Sequence, residues 1–84
     1  MIKELLQQEQ EVWVRLTKQN RAAFLRQAKA EGFFYFNGKQ IDESDDTFLI
    51  AAVSANGTIA KVPCFCLSSP QFANVKRIDY QPLQ

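Results

Sequence analysis

The sequence predicts an α+β fold in which one helix packs on a mostly antiparallel sheet of four to five strands. Three observations predict it: a helical pattern that ends at a glycine, an aromatic run after that glycine, and an Asn-Gly hairpin signal between two apolar runs. The helical pattern ends at Gly32, the aromatic run is residues 33–36, and the hairpin signal is Asn56-Gly57. The predicted order of elements is β-α-β-β-β-β, in a single domain of residues 1–84.

The first segment of the chain is polar, and residues 1–10 are expected to form an arm or a short helix. From residue 11 onward, Val12, Val14 and Leu16 alternate with Trp13 and an arginine, which is the period of a strand. The apolar residues of this stretch also fall on one face of a helix, so a helix over residues 1–16 stays open. The β-branched valines and the tryptophan favour the strand.

The helix is expected to begin at Thr17 or Asn20, because both residue types cap helix N-termini. Phe24, Leu25 and Ala28 then share one arc that faces a core. Gly32 ends the helix, since glycine adopts the left-handed conformation of a C-terminal cap without strain.

The remaining strands are read from apolar runs on either side of residues 56–57, and from the alternation in residues 75–80. A two-residue turn at Asn56-Gly57 pairs Ala55 with Thr58 and thereby fixes both faces of the hairpin. The face predicted to lie under the helix holds Leu49, Ala51, Val53, Ala60, Val62 and Cys64. The opposite face holds Phe48, Ile50, Ala52, Ile59, Lys61, Pro63 and Phe65.

Charge and composition exclude several classes of function. Ten basic residues against nine acidic ones leave a net charge of +1, so no bulk field attracts nucleic acid or an anionic membrane. The sequence contains no histidine, which removes the commonest general base and most zinc sites. No apolar run reaches the length of a transmembrane helix, and the N-terminus lacks the apolar core of a signal peptide. We therefore expect a cytoplasmic, non-catalytic protein with no catalytic residue, no metal and no cofactor.

Two local clusters of chemically active residues have structural explanations. Cys64 and Cys66 lie two residues apart and are expected to be free, buried thiols, because adjacent positions on one strand face are poorly oriented for a disulfide. The acidic run of residues 42–46 lacks the glycine and the glutamate of a calcium-binding loop, so a solvated loop is expected.

Several short motifs recur in the order expected of a known group of proteins. They are Val12-Trp13-Val14-Arg15-Leu16, Phe24-Leu25, Glu31-Gly32-Phe33, Asn37-Gly38, Asn56-Gly57-Thr58-Ile59 and Arg77-Ile78-Asp79-Tyr80. Over residues 11–80 the chain resembles small cytoplasmic proteins carried by phages and conjugative elements of Gram-positive bacteria. The resemblance implies a mobile-element origin and an accessory function, and it transfers no functional residues.

Binding to a protein partner, or to a second copy of the chain, is the first functional hypothesis. A sheet with apolar residues on both faces and a single helix leaves one face to be covered by a partner. The residues expected to bind this partner are Phe34, Phe36, Phe48, Ile50, Ile59 and Phe65.

The alternative is a nucleic-acid-binding module that uses the basic face of the helix. Its phosphate-binding residues would be Lys18, Arg26, Lys29 and Lys39. Trp13, Phe34 and Tyr35 would then supply surfaces on which bases stack.

Overall fold

The computed structural model describes residues 2–6 and 8–80. Its helices and strands are α1 (Ile2–Leu5), β1 (Glu11–Arg15), α2 (Arg21–Ala30), β2 (Phe34–Tyr35), β3 (Ile50–Ser54), β4 (Thr58–Lys61) and β5 (Lys76–Asp79). Two 3-10 helices, Cys64–Ser68 and Pro70–Phe72, lie between β4 and β5. We call residues 63–75 the crossover segment. The predicted order β-α-β-β-β-β agrees in part with the observed one. The five strands and α2 follow in that order, but α1 precedes β1 and the two 3-10 helices stand between β4 and β5.

The five strands form one mixed sheet in the order β2-β4-β3-β1-β5. The β1–β3 and β3–β4 pairs are antiparallel, whereas the β1–β5 and β2–β4 pairs are parallel. The sheet is therefore mixed rather than mostly antiparallel. Parallel neighbours in a sheet require a crossover connection, and this chain contains two of them. Here α2 links β1 to β2 across one face of the sheet, and the crossover segment links β4 to β5 across the other.

The N-terminal segment packs against α2. Ile2 and Leu6 are buried, and the Glu31 carboxylate accepts hydrogen bonds from the backbone N–H groups of Ile2 (2.6 Å) and Lys3 (3.0 Å). This carboxylate satisfies N–H groups that have no partner within a helix as short as α1. The expected short helix in residues 1–10 is thus present as α1, while Met1 and Gln7 lie outside the described residues.

The helix α2 has the predicted buried face and the predicted end. Phe24, Leu25 and Ala28 are fully buried. Gly32 has φ +88°, and Phe33 N–H donates to the carbonyl of Ala28, as expected for a glycine-terminated helix. Asn20 occupies the N-cap position, but its side chain accepts from the N–H of Thr17 (2.8 Å) rather than from an N–H of the helix.

The β3–β4 hairpin differs from the prediction by one residue of register. Val53 pairs with Ile59. One backbone hydrogen bond closes the turn, in which the N–H of Gly57 donates to the carbonyl of Ser54 at 3.0 Å. The loop therefore has three residues, with Gly57 at φ +89°, instead of the two expected. A shift of one residue moves every side chain of a strand to the other face. Ile59 consequently faces α2, while Ala60 and Val62 face away from it.

Two hydrophobic cores result, one on each face of the sheet. The first core lies between the sheet and α2, and its strand residues include Val12, Val14, Ala51, Val53 and Ile59. The second core contains Trp13, Ile50, Ala52 and Val62. Cys66, Leu67, Phe72 and Val75 of the crossover segment pack against it. The sequence patterns predict no segment of the chain that covers this second face.

Candidate functional site

Exposed aromatic side chains at the β2 edge are the most prominent surface feature. The N–H groups of Phe34 and Phe36 donate to the carbonyls of Gly57 (3.1 Å) and Ile59 (3.0 Å) on β4. Both residues therefore face the same side, opposite to Tyr35, which lies in the first core. Phe34 is 45% exposed and Phe36 is 72% exposed, so the end of β2 presents two phenylalanines to solvent.

The crossover segment covers only part of the second face. It packs over Trp13 on β1 and over Ile50 and Ala52 on β3. By register, Phe34 pairs with Thr58, and on this second face β2 and β4 carry only partly buried or exposed residues. Phe65, on the crossover segment itself, is 76% exposed. We use the name aromatic patch for the three exposed phenylalanines Phe34, Phe36 and Phe65 taken together.

Three of the six residues predicted to bind a partner are buried inside the protein. Phe48 and Ile59 belong to the first core, and Ile50 belongs to the second. The expectation that they form an uncovered face is corrected for two reasons. The register shift turns Ile59 toward α2, and the crossover segment covers Ile50. The other three predicted residues are the aromatic patch.

The four basic residues of the alternative hypothesis are all exposed, but they do not share one element. Arg26 and Lys29 lie on α2, Lys18 precedes it, and Lys39 follows β2. Arg26 forms an ion pair with Glu43 at 3.2 Å. Trp13 is only 3% exposed, so it offers no free ring for stacking with a base.

An open cavity of about 510 Å³ lies beside the end of β2. It is lined by Tyr35, Phe36, Asn37, Lys39, Gln40, Asp42, Asp45, Ile59 and Lys61. Asp45 is the centre of a polar cluster among these residues. Its carboxylate forms an ion pair with Lys61 and accepts a hydrogen bond from the Tyr35 hydroxyl at 3.0 Å. The Lys61 ammonium also lies 5.1 Å from the centre of the Tyr35 ring, within the range of a cation–π contact.

The pKa values of Asp45 and Tyr35 are both displaced away from neutral pH. Burial alone would raise the pKa of Asp45, but hydrogen bonds from Lys61, Thr47 and Tyr35 outweigh it and hold that pKa well below its usual range. Burial, together with the neighbouring carboxylates, raises the pKa of Tyr35 to about 12. Asp45 therefore stays ionised and Tyr35 stays protonated, which suits a structural network rather than proton transfer.

Sequence reasoning did not find this cluster, because it assigned the whole acidic run 42–46 to solvent. Asp42 and Asp46 are indeed exposed, but the Asp45 side chain is only 7% exposed. One signal was present in the sequence: Lys61 is the only charged residue in the apolar stretch 59–67. A charge that packs partly against apolar residues is stabilised by a partner of opposite sign.

The acidic run and the two cysteines are the chemically active clusters that the sequence analysis assigned to structure. Among residues 2–6 and 8–80, no three acidic or cysteine side chains cluster so as to hold a metal ion. Cys64 and Cys66 are free, as expected. They were expected to be buried, but Cys64 is exposed, because residues 64–68 form a 3-10 helix and do not continue β4.

Comparisons of the chain with protein-family models, with curated proteins and with solved structures find no match. Within the part of the chain that the structure describes, no helix has the length and apolar character needed to cross a membrane.

Proposed function

We propose that this chain is a non-catalytic accessory protein of a mobile genetic element, and that it acts in the cytoplasm by binding another protein through the aromatic patch. The observation that carries the proposal is the exposure of Phe34, Phe36 and Phe65 in a chain that buries its other phenylalanines more fully. Large exposed apolar groups mark interaction sites, and aromatic residues contribute most to binding energy when a partner buries them. The mobile-element origin rests on the sequence resemblance alone.

A non-catalytic function agrees with the chemistry of the cavity. The sequence offers no histidine, and the buried carboxylate and phenol beside the cavity keep their protonation states near pH 7. A general acid or base needs a pKa near the working pH. The cavity adjoins Phe36, so we assign its polar lining, including Lys39 and Gln40, to the rim of the protein-binding surface.

The proposal is tested with a variant that removes the two most exposed rings, Phe36→Ser/Phe65→Ser. The wild-type chain and the variant are immobilised, and proteins from a Gram-positive host extract that bind each are quantified; a captured protein is then purified and titrated directly. We expect the variant to bind at least about 10-fold more weakly, because each buried aromatic anchor contributes more than about 1 kcal/mol. Its thermal unfolding should match that of the wild type, since both rings are exposed.

The matched control is Lys18→Ser/Lys29→Ser, which alters one exposed residue before α2 and one on α2 and leaves the aromatic patch intact. Equal partner binding by the wild type and the Phe36→Ser/Phe65→Ser variant contradicts the proposal. The control also tests the alternative function. Salt-dependent binding of short oligonucleotides that this lysine variant loses, and the phenylalanine variant keeps, would instead assign the chain to nucleic acid.

A further inference from the structure

The outer edge of β5 carries backbone groups that no other described strand pairs with. β5 is the last strand of the sheet and runs parallel to β1, with Val14 opposite Ile78. The N–H of Tyr80 donates to the carbonyl of Arg15 at 3.0 Å, which fixes the alternation of the ladder. Residues 76, 78 and 80 thus direct their N–H and C=O groups toward β1, while Arg77 and Asp79 direct theirs outward.

The opposite edge of the sheet is closed by the chain itself. The N–H of Tyr35 on β2 donates to the carbonyl of Lys39 at 2.9 Å, and the N–H of Gly38 donates to the carbonyl of Tyr35 at 2.8 Å. The turn after β2 therefore satisfies the outward-facing groups of that strand. Among the residues that the structure describes, β5 is therefore the sheet edge that offers outward-facing backbone groups, those of Arg77 and Asp79, to another chain.

The charges on β5 favour one register for pairing β5 of one copy with β5 of a second copy. In an antiparallel pair related by a two-fold axis, the outward groups of Arg77 and Asp79 match in three registers. Centring the axis on Arg77 or on Asp79 places two like charges directly opposite each other, which is unfavourable. Centring it on Ile78 places each Arg77 opposite the partner's Asp79 and pairs the two Ile78 side chains.

We propose that two copies of this chain associate through β5, antiparallel and centred on Ile78, to form a continuous ten-stranded sheet. Arg77 and Asp79 of each copy exchange backbone hydrogen bonds with the partner's Asp79 and the partner's Arg77, which gives four hydrogen bonds in total. Two Arg–Asp side-chain pairs form on the second face, and the Ile78 pair lies on the face that carries α2.

The existing contacts of these side chains are compatible with the pairing. Arg77 donates from Nη2 to the carbonyl of Phe72 at 3.1 Å, which leaves its other N–H groups available. The Asp79 carboxylate accepts from Arg15 Nε (2.7 Å) and Nη2 (3.1 Å), yet its side chain is still 58% exposed. A carboxylate accepts about four hydrogen bonds, so it can serve both arginines.

This association uses the edge of the sheet farthest from β2, so it does not depend on the proposed function. It leaves the β2 end of both copies free, at opposite ends of the joined sheet. A partner that carries two binding sites would then meet a bivalent protein. The edge-to-edge contact is small, which corresponds to a dissociation constant of roughly micromolar to millimolar.

Sedimentation measurements over a concentration series up to about 1 mM test the association. The wild-type chain is expected to show a monomer–dimer equilibrium. Arg77→Asp and Asp79→Arg should each be monomeric, because like charges then lie opposite each other at both pairs. An equimolar mixture of the two variants should restore the dimer, since every pair becomes Arg–Asp or Asp–Arg. A monomeric wild type, or a mixture that does not associate, overturns the proposal.

A cross-linking measurement keeps the test decisive if a charge variant folds poorly. Ile78→Cys, in a Cys64→Ser/Cys66→Ser background, places two thiols opposite each other at the two-fold axis. The Cα atoms of such a pair lie about 4.5–5.5 Å apart, within disulfide reach. Mild oxidation with diamide should give a covalent dimer. Lys76→Cys in the same background is the control, because its two copies lie about 13 Å apart along the strands. Equal cross-linking at both positions overturns the register.

Discussion

Asp45 shows how burial distinguishes one residue from chemically identical neighbours. Its Oδ1 accepts hydrogen bonds from the N–H (3.0 Å) and the hydroxyl (2.6 Å) of Thr47, and its Oδ2 binds Tyr35 and Lys61. The run of acidic residues correctly indicates a polar loop. Nothing in its composition indicates which carboxylate turns inward, because that depends on where Lys61 lies after β3 and β4 pair.

Asp45→Asn should destabilise the protein by about 1–2 kcal/mol at pH 7, because the amide cannot pair with the Lys61 charge. The pKa of Asp45 is lower in the folded state than its ordinary value of 3.8, so its stabilisation is present above that value and is lost as the pH falls toward the folded-state pKa. The difference between wild type and variant should therefore shrink below about pH 4. Urea unfolding at several pH values measures it.

Asp46→Asn is the matched control, because Asp46 is adjacent in sequence and exposed. Its effect should stay within about 0.5 kcal/mol at pH 7. If both variants unfold at the same urea concentration as the wild type, Asp45 is not the centre of the network.

At the scale of the elements, the sequence correctly predicts the position of the β3–β4 hairpin but not its register. Asn56-Gly57 correctly marks the turn. The number of loop residues depends on whether one or both central residues adopt positive φ, and only Gly57 does. Asn56 instead uses its side chain, whose Oδ1 accepts from the N–H (3.2 Å) and the hydroxyl (2.7 Å) of Thr58. The resulting three-residue loop sets the register that places Ile59 on the face covered by α2.

Gly57→Ala should cost about 1 kcal/mol, because φ +89° strains any residue with a Cβ atom. A Cβ at this position would meet no atom within 4 Å, so the cost comes from the backbone and not from a clash. Gly57→Asn should cost less, since asparagine tolerates left-handed conformations better than alanine. Urea unfolding of the two variants compares them, and an alanine variant as stable as the wild type would contradict this reading of the turn.

At the scale of the whole molecule, two crossover connections determine the architecture. From β1 the chain passes over one face through α2 to reach β2, and from β4 it returns over the other face to reach β5. Because the two connections run in opposite directions on opposite faces, they have the same hand. Sequence patterns predicted α2 from its periodicity and its glycine. They did not predict the second crossover, because Pro63, Pro70 and two short 3-10 helices produce no regular apolar period.

The same gap explains the outcome for Ile50, one of the predicted binding residues. An apolar second face is correctly inferred from the sequence, but without the crossover segment its cover is assigned to a partner, whereas the chain covers Ile50 itself. Phe48 and Ile59 lie instead in the first core, and for Ile59 the cause is the register of the hairpin. Phe34 and Phe36 remain exposed because they lie at the β2 edge, beyond the residues over which the crossover segment packs.

The cover of the second core can be tested through Trp13, the only tryptophan of the chain. Its ring lies 5.1 Å from that of Phe72, and the guanidinium of Arg77 lies 5.7 Å from it on the same face. Phe72→Ala should admit water to the indole, shift its fluorescence emission to longer wavelength, and destabilise the fold by about 1–3 kcal/mol. Phe65→Ala is the control, because Phe65 belongs to the same segment but is exposed, and it should change neither quantity. A Phe72→Ala variant with wild-type emission and stability would show that the crossover segment does not close the second face. In that case Ile50 and Trp13 would again be available to a partner, and the binding surface would extend across the sheet.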